Sequence, residues 1–221
     1  MRDDEITGHN RSRWTPRPLG RESVVWANRL RTGTRRDDEA NTRRLVLLGA
    51  LIQRVSGETF ENYVAHHITG PLRMNDTFFD VPPEKMARVS RLHEIKDGKL
   101  RTTPEIIGAY AEKGRGIPAG GAGLFSTMGD YARFAQCLLN DGTLDGVRLL
   151  GRKTVGLALK NTLPPSESAF TASEGWGLMS ALRLDMALAR EPASEGMFYW
   201  IGAATTHFFC GEVPKITGDT P

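Results

Sequence analysis

Five histidines, two cysteines and ten serines are the side chains of this sequence that could attack a carbonyl, hold a metal or relay a proton. His66 and His67 are adjacent, so on a helix they point to different sides. No carboxylate stands at helical spacing to complete a metal site with them, and they read as a solvated or half-buried pair. His93 and His207 are solitary. Cys137 lies among Phe134 and Leu138 and reads as a small core residue rather than a reactive thiol. Cys210 is far from it, without the spacing of a disulfide framework or a zinc site, so the expectation is reduced thiols, no metal and no cofactor. Ser126 precedes Thr127 at the start of an expected helix, where capping outweighs a nucleophilic role. Gly120 and Gly121 could approach a phosphate, but no lysine and hydroxyl follow at nucleotide-binding spacing, and a loop joining two lobes is the simpler account.

The elements that must position these groups change character along the chain. Residues 1–44 show no sustained period of 3.6 or 2 and few large aliphatics, and are expected to be irregular. From Leu45 the pattern Leu45, Leu48, Leu51, Ile52, Val55 predicts a buried helix that stops at Ser56-Gly57. Phe60, Val64 and Ile68 predict a second helix, ended by Gly70-Pro71. Residues 76–117 read as extended segments and loops, with Asp97-Gly98 offering hairpin turn chemistry between Ile95 and Leu100. Thr127 begins a helix with Asp130 near its positive end, and Asn140-Asp141-Gly142 closes it. A short helix follows over 153–160. The stretches 176–184 and 197–209 read as two strands of one sheet, with a polar turn over 189–195. Helices followed by late strands predict an α+β fold.

Composition narrows the class. At 221 residues, 39% hydrophobic and 25% charged, the chain can bury a core without a disulfide or metal. The run from Leu45 to Ile52 is too short to cross a bilayer, and no signal-type apolar segment follows the polar N-terminus, so the reading is a soluble cytoplasmic protein with no membrane partner. Residues 1–44 carry 11 Arg against 7 acids, whereas the rest is nearly balanced. Such an arm can neutralise phosphates. Its arginines, however, interleave with Asp37, Asp38 and Glu39, form no helical stripe and lack interleaved aromatics, which argues against nucleic acid as a partner.

Three blocks of residues carry a family resemblance. The first is Leu47 to Gly57 with Phe60, Tyr63 and Pro71-Leu72-Arg73-Met74-Asn75-Asp76-Thr77. The second is Ala119 to Thr127 with Asp130-Tyr131-Ala132-Arg133-Phe134 and Asn140-Asp141-Gly142. The third is Gly175-Trp176-Gly177-Leu178 with Tyr199 to Thr205. Together they resemble serine β-lactamase-related proteins of the class C-like group, which includes esterases and amide hydrolases, over residues 45–209. The resemblance implies a β-lactamase/transpeptidase-like fold, an antiparallel sheet flanked by helices, and an acyl-enzyme made by a serine with a lysine one helical turn later. It also implies a tyrosine motif and a Lys-Thr-Gly strand. Trp200-Ile201-Gly202 stands where Lys-Thr-Gly would stand, so these three residues are the expected substrate-binding wall, favouring neutral esters or amides over carboxylate-bearing β-lactams.

Two motifs that the resemblance calls for are missing. None of Ser12, Ser23, Ser56, Ser90, Ser126, Ser166, Ser168, Ser173, Ser180 and Ser194 has lysine three residues on. The place of the tyrosine motif reads Glu39-Ala40-Asn41, where Asn41 is its remnant. The catalytic residues are therefore not identified. The expectation is an incomplete domain over 45–209, with a non-family Arg-rich segment over 1–44 and a non-family tail over 210–221, produced by a frame shift or misplaced start. Three functions follow: a serine hydrolase by lineage in truncated or inactive form, a non-catalytic ligand-binding member of the same fold, or a nucleic-acid binder through the basic arm. Unpaired sheet edges predict poor solubility.

Overall fold

The computed structural model describes residues 24–25, 35–102, 120, 123–167, 169–189, 193–202 and 206–211, and of residues up to 44 the backbone alone. Strand β1 (Val24–Val25) is followed by the long helix α1 (Arg35–Ser56). The helix starts upstream of the expected Leu45. The opening residues of the helix, Arg35 to Arg44, are polar or small in sequence, and such a start has no hydrophobic period to announce it. The predicted stop holds: Gly57 has φ +77° and its N–H donates to the Gln53 carbonyl at 3.0 Å.

Helix α2 (Phe60–Val64) is capped by Thr59, whose side chain accepts from Asn62 N at 3.2 Å. It widens into a π turn over Ala65–Thr69, closed by Gly70 N donating to the Ala65 carbonyl at 2.8 Å. This turn delivers Leu72 and Met74 to a core with Cys137, with Ile68, Phe134, Leu144 and Leu149 packed against it. After a 3-10 turn at Pro83–Arg88 comes the predicted hairpin, β2 (His93–Lys96) and β3 (Lys99–Thr102).

Strand β4 (Phe125–Ser126) pairs with β1, and Phe78 bridges to Phe125 from elsewhere in the chain. Helix α3 (Met128–Leu139) starts as expected, but the capping hydroxyl is that of Thr127, which accepts from Asp130 N at 3.2 Å. Ser126 is instead buried, with its hydroxyl 2.8 Å from Thr77 Oγ1. The Asn140-Asp141-Gly142 stop leads into the small hairpin β5 (Thr143–Leu144) and β6 (Val147–Arg148). Gly142 has φ +83°, and a Cβ there would lie 2.4 Å from the Leu150 carbonyl oxygen, so only glycine fits.

Helix α4 (Arg152–Ala158) precedes strands β7 (Glu174–Trp176) and β8 (Ala181–Arg183), the short helix α5 (Met186–Ala189), and strands β9 (Phe198–Ile201) and β10 (His207–Cys210). Each stretch read as one strand is thus a pair. Gly177 N bonds the Ser180 carbonyl at 2.9 Å to reverse the first pair, and Gly202 N bonds the Thr206 carbonyl at 2.7 Å at the mouth of the second. The four strands form one antiparallel sheet in the order β10-β9-β8-β7. Ala135 and Leu138 of α3 pack on Leu182, Phe198 and Cys210 of the sheet. Each large aliphatic side chain buried there contributes about 1.5–3 kcal/mol. The fold is α+β, as expected.

The helix read as buried, α1, keeps an open apolar stripe: Leu47, Leu48, Leu51 and Val55 are 67%, 54%, 56% and 78% exposed. Periodicity tells which side chains share a face; it does not supply the element that covers it. The irregular reading of residues 1–34 concerns residues that, apart from the backbone of β1, lie outside those described. The expected non-family tail lies outside them from residue 212 onward.

Candidate functional site

Strand β9 carries the expected wall. Trp200 is 3% exposed and packs edge-on against Trp176, with ring centroids 4.6 Å apart, and against Phe170 at 5.7 Å. Ile201 is half exposed, and Gly202 closes the turn toward β10. The three residues are adjacent at one end of the sheet, and as consecutive strand residues Trp200 and Ile201 point to opposite faces, Trp200 into the aromatic cluster and Ile201 to the exposed side. Two hydroxyls beside this segment, Ser180 Oγ and Thr206 Oγ1, are buried with no hydrogen-bond partner.

The side chains beneath the wall were not picked out by sequence reasoning. Tyr199 Oη donates to Glu174 Oε1, and Arg183 Nη1 lies 3.3 Å from that oxygen while donating to Ser173 Oγ at 2.9 Å. The guanidinium sits over the Tyr199 ring, 5.6 Å from its centroid, and Glu174 Oε2 accepts from Thr171 N at 2.9 Å. All of Ser173, Glu174, Arg183 and Tyr199 are buried. The hairpin register, with Glu174 opposite Arg183, makes the pair. An arginine between apolar neighbours in Ala181-Leu182-Arg183-Leu184 was the one available signal.

A second polar cluster ties the start of α3 to residues 76–88. Asp130 accepts from Asp76 N at 2.7 Å and from Thr77 Oγ1 at 2.9 Å, while Asp76 holds Lys85 at 2.7 Å and Arg88 at 2.9 Å. Asp76, Lys85 and Arg88 line a cleft with Phe78, Val81, Phe125 and Ser126. Ser126 Oγ meets Thr77 Oγ1 at 2.8 Å and the Thr127 carbonyl at 3.4 Å. Neither group is a base able to activate it. Burial raises the Asp76 carboxyl pKa, and the hydrogen bonds from Lys85 and Arg88 outweigh this, leaving it below its ordinary 3.8.

A folded-state pKa below the unfolded one gives stability that is complete above the ordinary pKa and is lost as pH falls through the folded value. Asp76→Asn should therefore cost about 0.5–1 kcal/mol at neutral pH, the low range set by partial exposure of the pair. That difference should shrink as pH is lowered from about 7 to about 3, read by urea unfolding of both proteins. A constant difference would show that the carboxylate charge plays no part.

His66 and His67 are solvated, as expected, but share a carboxylate from outside their helical turn. Glu58 accepts from His66 Nδ1 at 2.7 Å and lies 3.1 Å from His67 Nε2. The chain reversal at Ser56-Gly57 brings this carboxylate back, which helical spacing alone does not foresee. The hydrogen bonds from His66 and then His67 hold the exposed Glu58 below the usual carboxylate range. Cys137 behaves as the expected core residue, its thiol pushed up by burial. Burial likewise raises Tyr131 and Cys210. Among the described residues no group of His, Cys, Asp and Glu could hold a metal ion, and no helix is long and apolar enough to cross a membrane. The side chains of the arginine-rich arm lie outside the described residues.

With this geometry in view, the Beta-lactamase family model matches residues 40–212. The chain belongs to the Beta-lactamase family. The match begins within α1 and runs past β10, slightly wider at both ends than residues 45–209. Protein Rv1367c of Mycobacterium tuberculosis is 28% identical over 203 residues, covering 86% of this chain and 50% of that protein. Among solved structures, EstCE1, a hydrolase with promiscuous acyltransferase activity, superposes with a TM-score of 0.63 at 20% identity, over 73% of this chain and 45% of its own. The simvastatin synthase LovD from Aspergillus terreus, in its LovD6 mutant form, gives 0.60 at 23% identity, over 71% and 42%. At these identities the structural likenesses show the fold. The chain spans about half the length of the curated relatives it matches.

Proposed function

We propose that this chain carries the substrate-binding sheet of a β-lactamase-related hydrolase, shaped for a neutral ester or amide, and that it binds such a ligand without forming an acyl-enzyme. The observation that carries this reading is a pairing within one chain. The family match covers the strand holding Trp200-Ile201-Gly202, while none of the ten serines has lysine three residues on. Ile201, half exposed at the end of the strand, offers neutral apolar contact where a Lys-Thr-Gly strand offers a cation. That favours an uncharged acyl group over a carboxylate. The hydrolase relationship fixes the lineage; truncation or loss of activity, and a cytoplasmic site of action, belong to the proposal.

The test uses the full chain with a fluorophosphonate probe, p-nitrophenyl acetate and a panel of neutral esters and amides. The expected result is no labelled serine, no burst of p-nitrophenol, and a raised melting temperature with at least one neutral ligand. Burst turnover abolished by a single serine replacement overturns the non-catalytic reading. No stabilisation by any ester or amide overturns the binding reading.

A further inference from the structure

The four-stranded sheet has two outer edges, β7 and β10, and the chain treats them differently. In an antiparallel pair alternate residues turn their N–H and C=O toward the neighbouring strand, and the residues between turn theirs away. On β7 the outward residues are Glu174 and Trp176, since Gly177 N donates to the Ser180 carbonyl across the β7–β8 pair. The loop outside meets every one of their backbone groups. Trp176 N donates to Asn161 Oδ1 at 3.0 Å and the Trp176 carbonyl accepts from Thr162 N at 2.8 Å. Glu174 N donates to the Thr171 carbonyl at 3.0 Å and the Glu174 carbonyl accepts from Ala169 N at 3.2 Å. This edge is closed.

On β10 the outward residues are His207 and Phe209, since Gly202 N donates to the Thr206 carbonyl and the pairs Trp200–Phe208 and Phe198–Cys210 follow in step. Among the described residues no backbone N–H or C=O of His207 or Phe209 has a partner. The run Thr205 to Gly211 holds no lysine, no carboxylate and no proline, the residues that guard a sheet edge against further pairing. Phe209 is 67% exposed beside His207, with ring centroids 5.7 Å apart.

The residues that follow β10 are poorly suited to turn back onto this edge. Gly211 stays in line beside Met197, where a Cβ on it would lie 3.2 Å from that side chain, and its φ is not left-handed, so it does not open a tight hairpin turn. Glu212-Val213-Pro214 then supplies no glycine, asparagine or aspartate for such a turn, and Pro214 has no N–H to give a ladder. A second copy of β10 meets neither difficulty. Set antiparallel about a two-fold axis at Phe208, His207 of each copy stands opposite Phe209 of the other, and these are the residues whose backbone groups are open. One strand pair thus uses every open group on both copies, sets an imidazole beside each exposed phenyl ring, and brings no lysine, arginine or carboxylate against its like. Because the β7 edge is closed, the joined sheet has no edge left for a third copy, so the contact makes a dimer and not a filament. We infer that the open edge of β10 pairs antiparallel with β10 of a second copy of this chain, His207 opposite Phe209, joining two four-stranded sheets into one.

The experiment is sedimentation velocity of the full chain, with hydrogen exchange of the same samples. A contact of one strand pair belongs to the small, weak class of interfaces, so a reversible monomer–dimer equilibrium is expected over about 1–100 µM. The amides of His207 and Phe209 should exchange more slowly as the dimer fills. His207→Lys with Phe209→Lys sets like charges across the two-fold axis and should weaken the dimer by at least about ten-fold. His207→Lys with Phe209→Glu sets opposite charges there and should restore it at low salt, with the gain fading as salt is raised. Both positions are exposed, so circular dichroism of the variants should match the parent. Four results each overturn the assignment: a monomer at every concentration, a dimer indifferent to the lysine pair, growth beyond the dimer, or slow exchange of the two amides that does not vary with concentration, which would place residues 212–221 on the edge.

Discussion

Replacing Arg183 with alanine is expected to destabilise the protein by about 3–5 kcal/mol, because it leaves the buried Glu174 carboxylate without its cation. The side chains of Arg183 and Glu174 are 4% and 7% exposed, so water cannot take over the lost contacts. The same change unseats the stack over Tyr199 and the donation to Ser173. Against a typical total stability of about 5–15 kcal/mol, this loss unfolds a marginal domain. The companion variant removes both charges, Arg183→Met with Glu174→Gln. It should recover most of the stability, since an apolar and a neutral replacement of similar volume leaves no orphaned ion. Urea unfolding of the two single variants and the double one gives the coupling directly. A loss below about 1 kcal/mol for Arg183→Ala, the range of an exposed pair, would mean the cluster is wet.

Trp200→Ala is expected to cost about 3–5 kcal/mol through the cavity it opens. The vacated space lies beside Trp176 of β7 and the Phe170 ring, both in contact with Trp200. Trp200→Phe keeps an aromatic edge for Trp176 and should cost less than the alanine change. Ile201→Ala separates packing from recognition, since Ile201 is half exposed and contributes little to the core. If the wall binds a neutral acyl group, Ile201→Ala lowers the ligand-induced shift in melting temperature while leaving the ligand-free melt nearly unchanged. Should Trp200→Ala melt like the parent, the aromatic cluster is not the support of the wall.

Local chemistry made much of this legible. Asp97-Gly98 announced its hairpin, Ser56-Gly57 and Asn140-Asp141-Gly142 announced helix ends, and Thr127 with Asp130 announced a helix start, because each signal acts through the backbone within a few residues. The stretch holding Trp200 and Ile201 was read as a strand for the same reason: its pattern is contiguous in the chain. What was missed depends on distant partners. Glu174 meets Arg183 only through the hairpin register, Glu58 reaches His66 and His67 only after the chain turns back, and Asp130 meets Thr77 from 53 residues away in sequence. The start of α1 at Arg35 escaped notice because its first turns are polar, and polar helices show no apolar period. The stripe on α1 was read as core because a period identifies a face and is silent about its neighbour.

The order β10-β9-β8-β7 means that each strand of the main sheet pairs with the one made immediately before or after it. Closing such short loops costs little entropy, and contacts of small sequence separation form fast. The contact between Val25 and Phe125 is the opposite case, because its two partners emerge from the ribosome at widely separated times. During synthesis β1 therefore waits for β4, whereas the last four strands can assemble almost as they appear. Among the described strands, β1–β4 is thus the pairing of largest sequence separation and the one with the largest loop-closure cost.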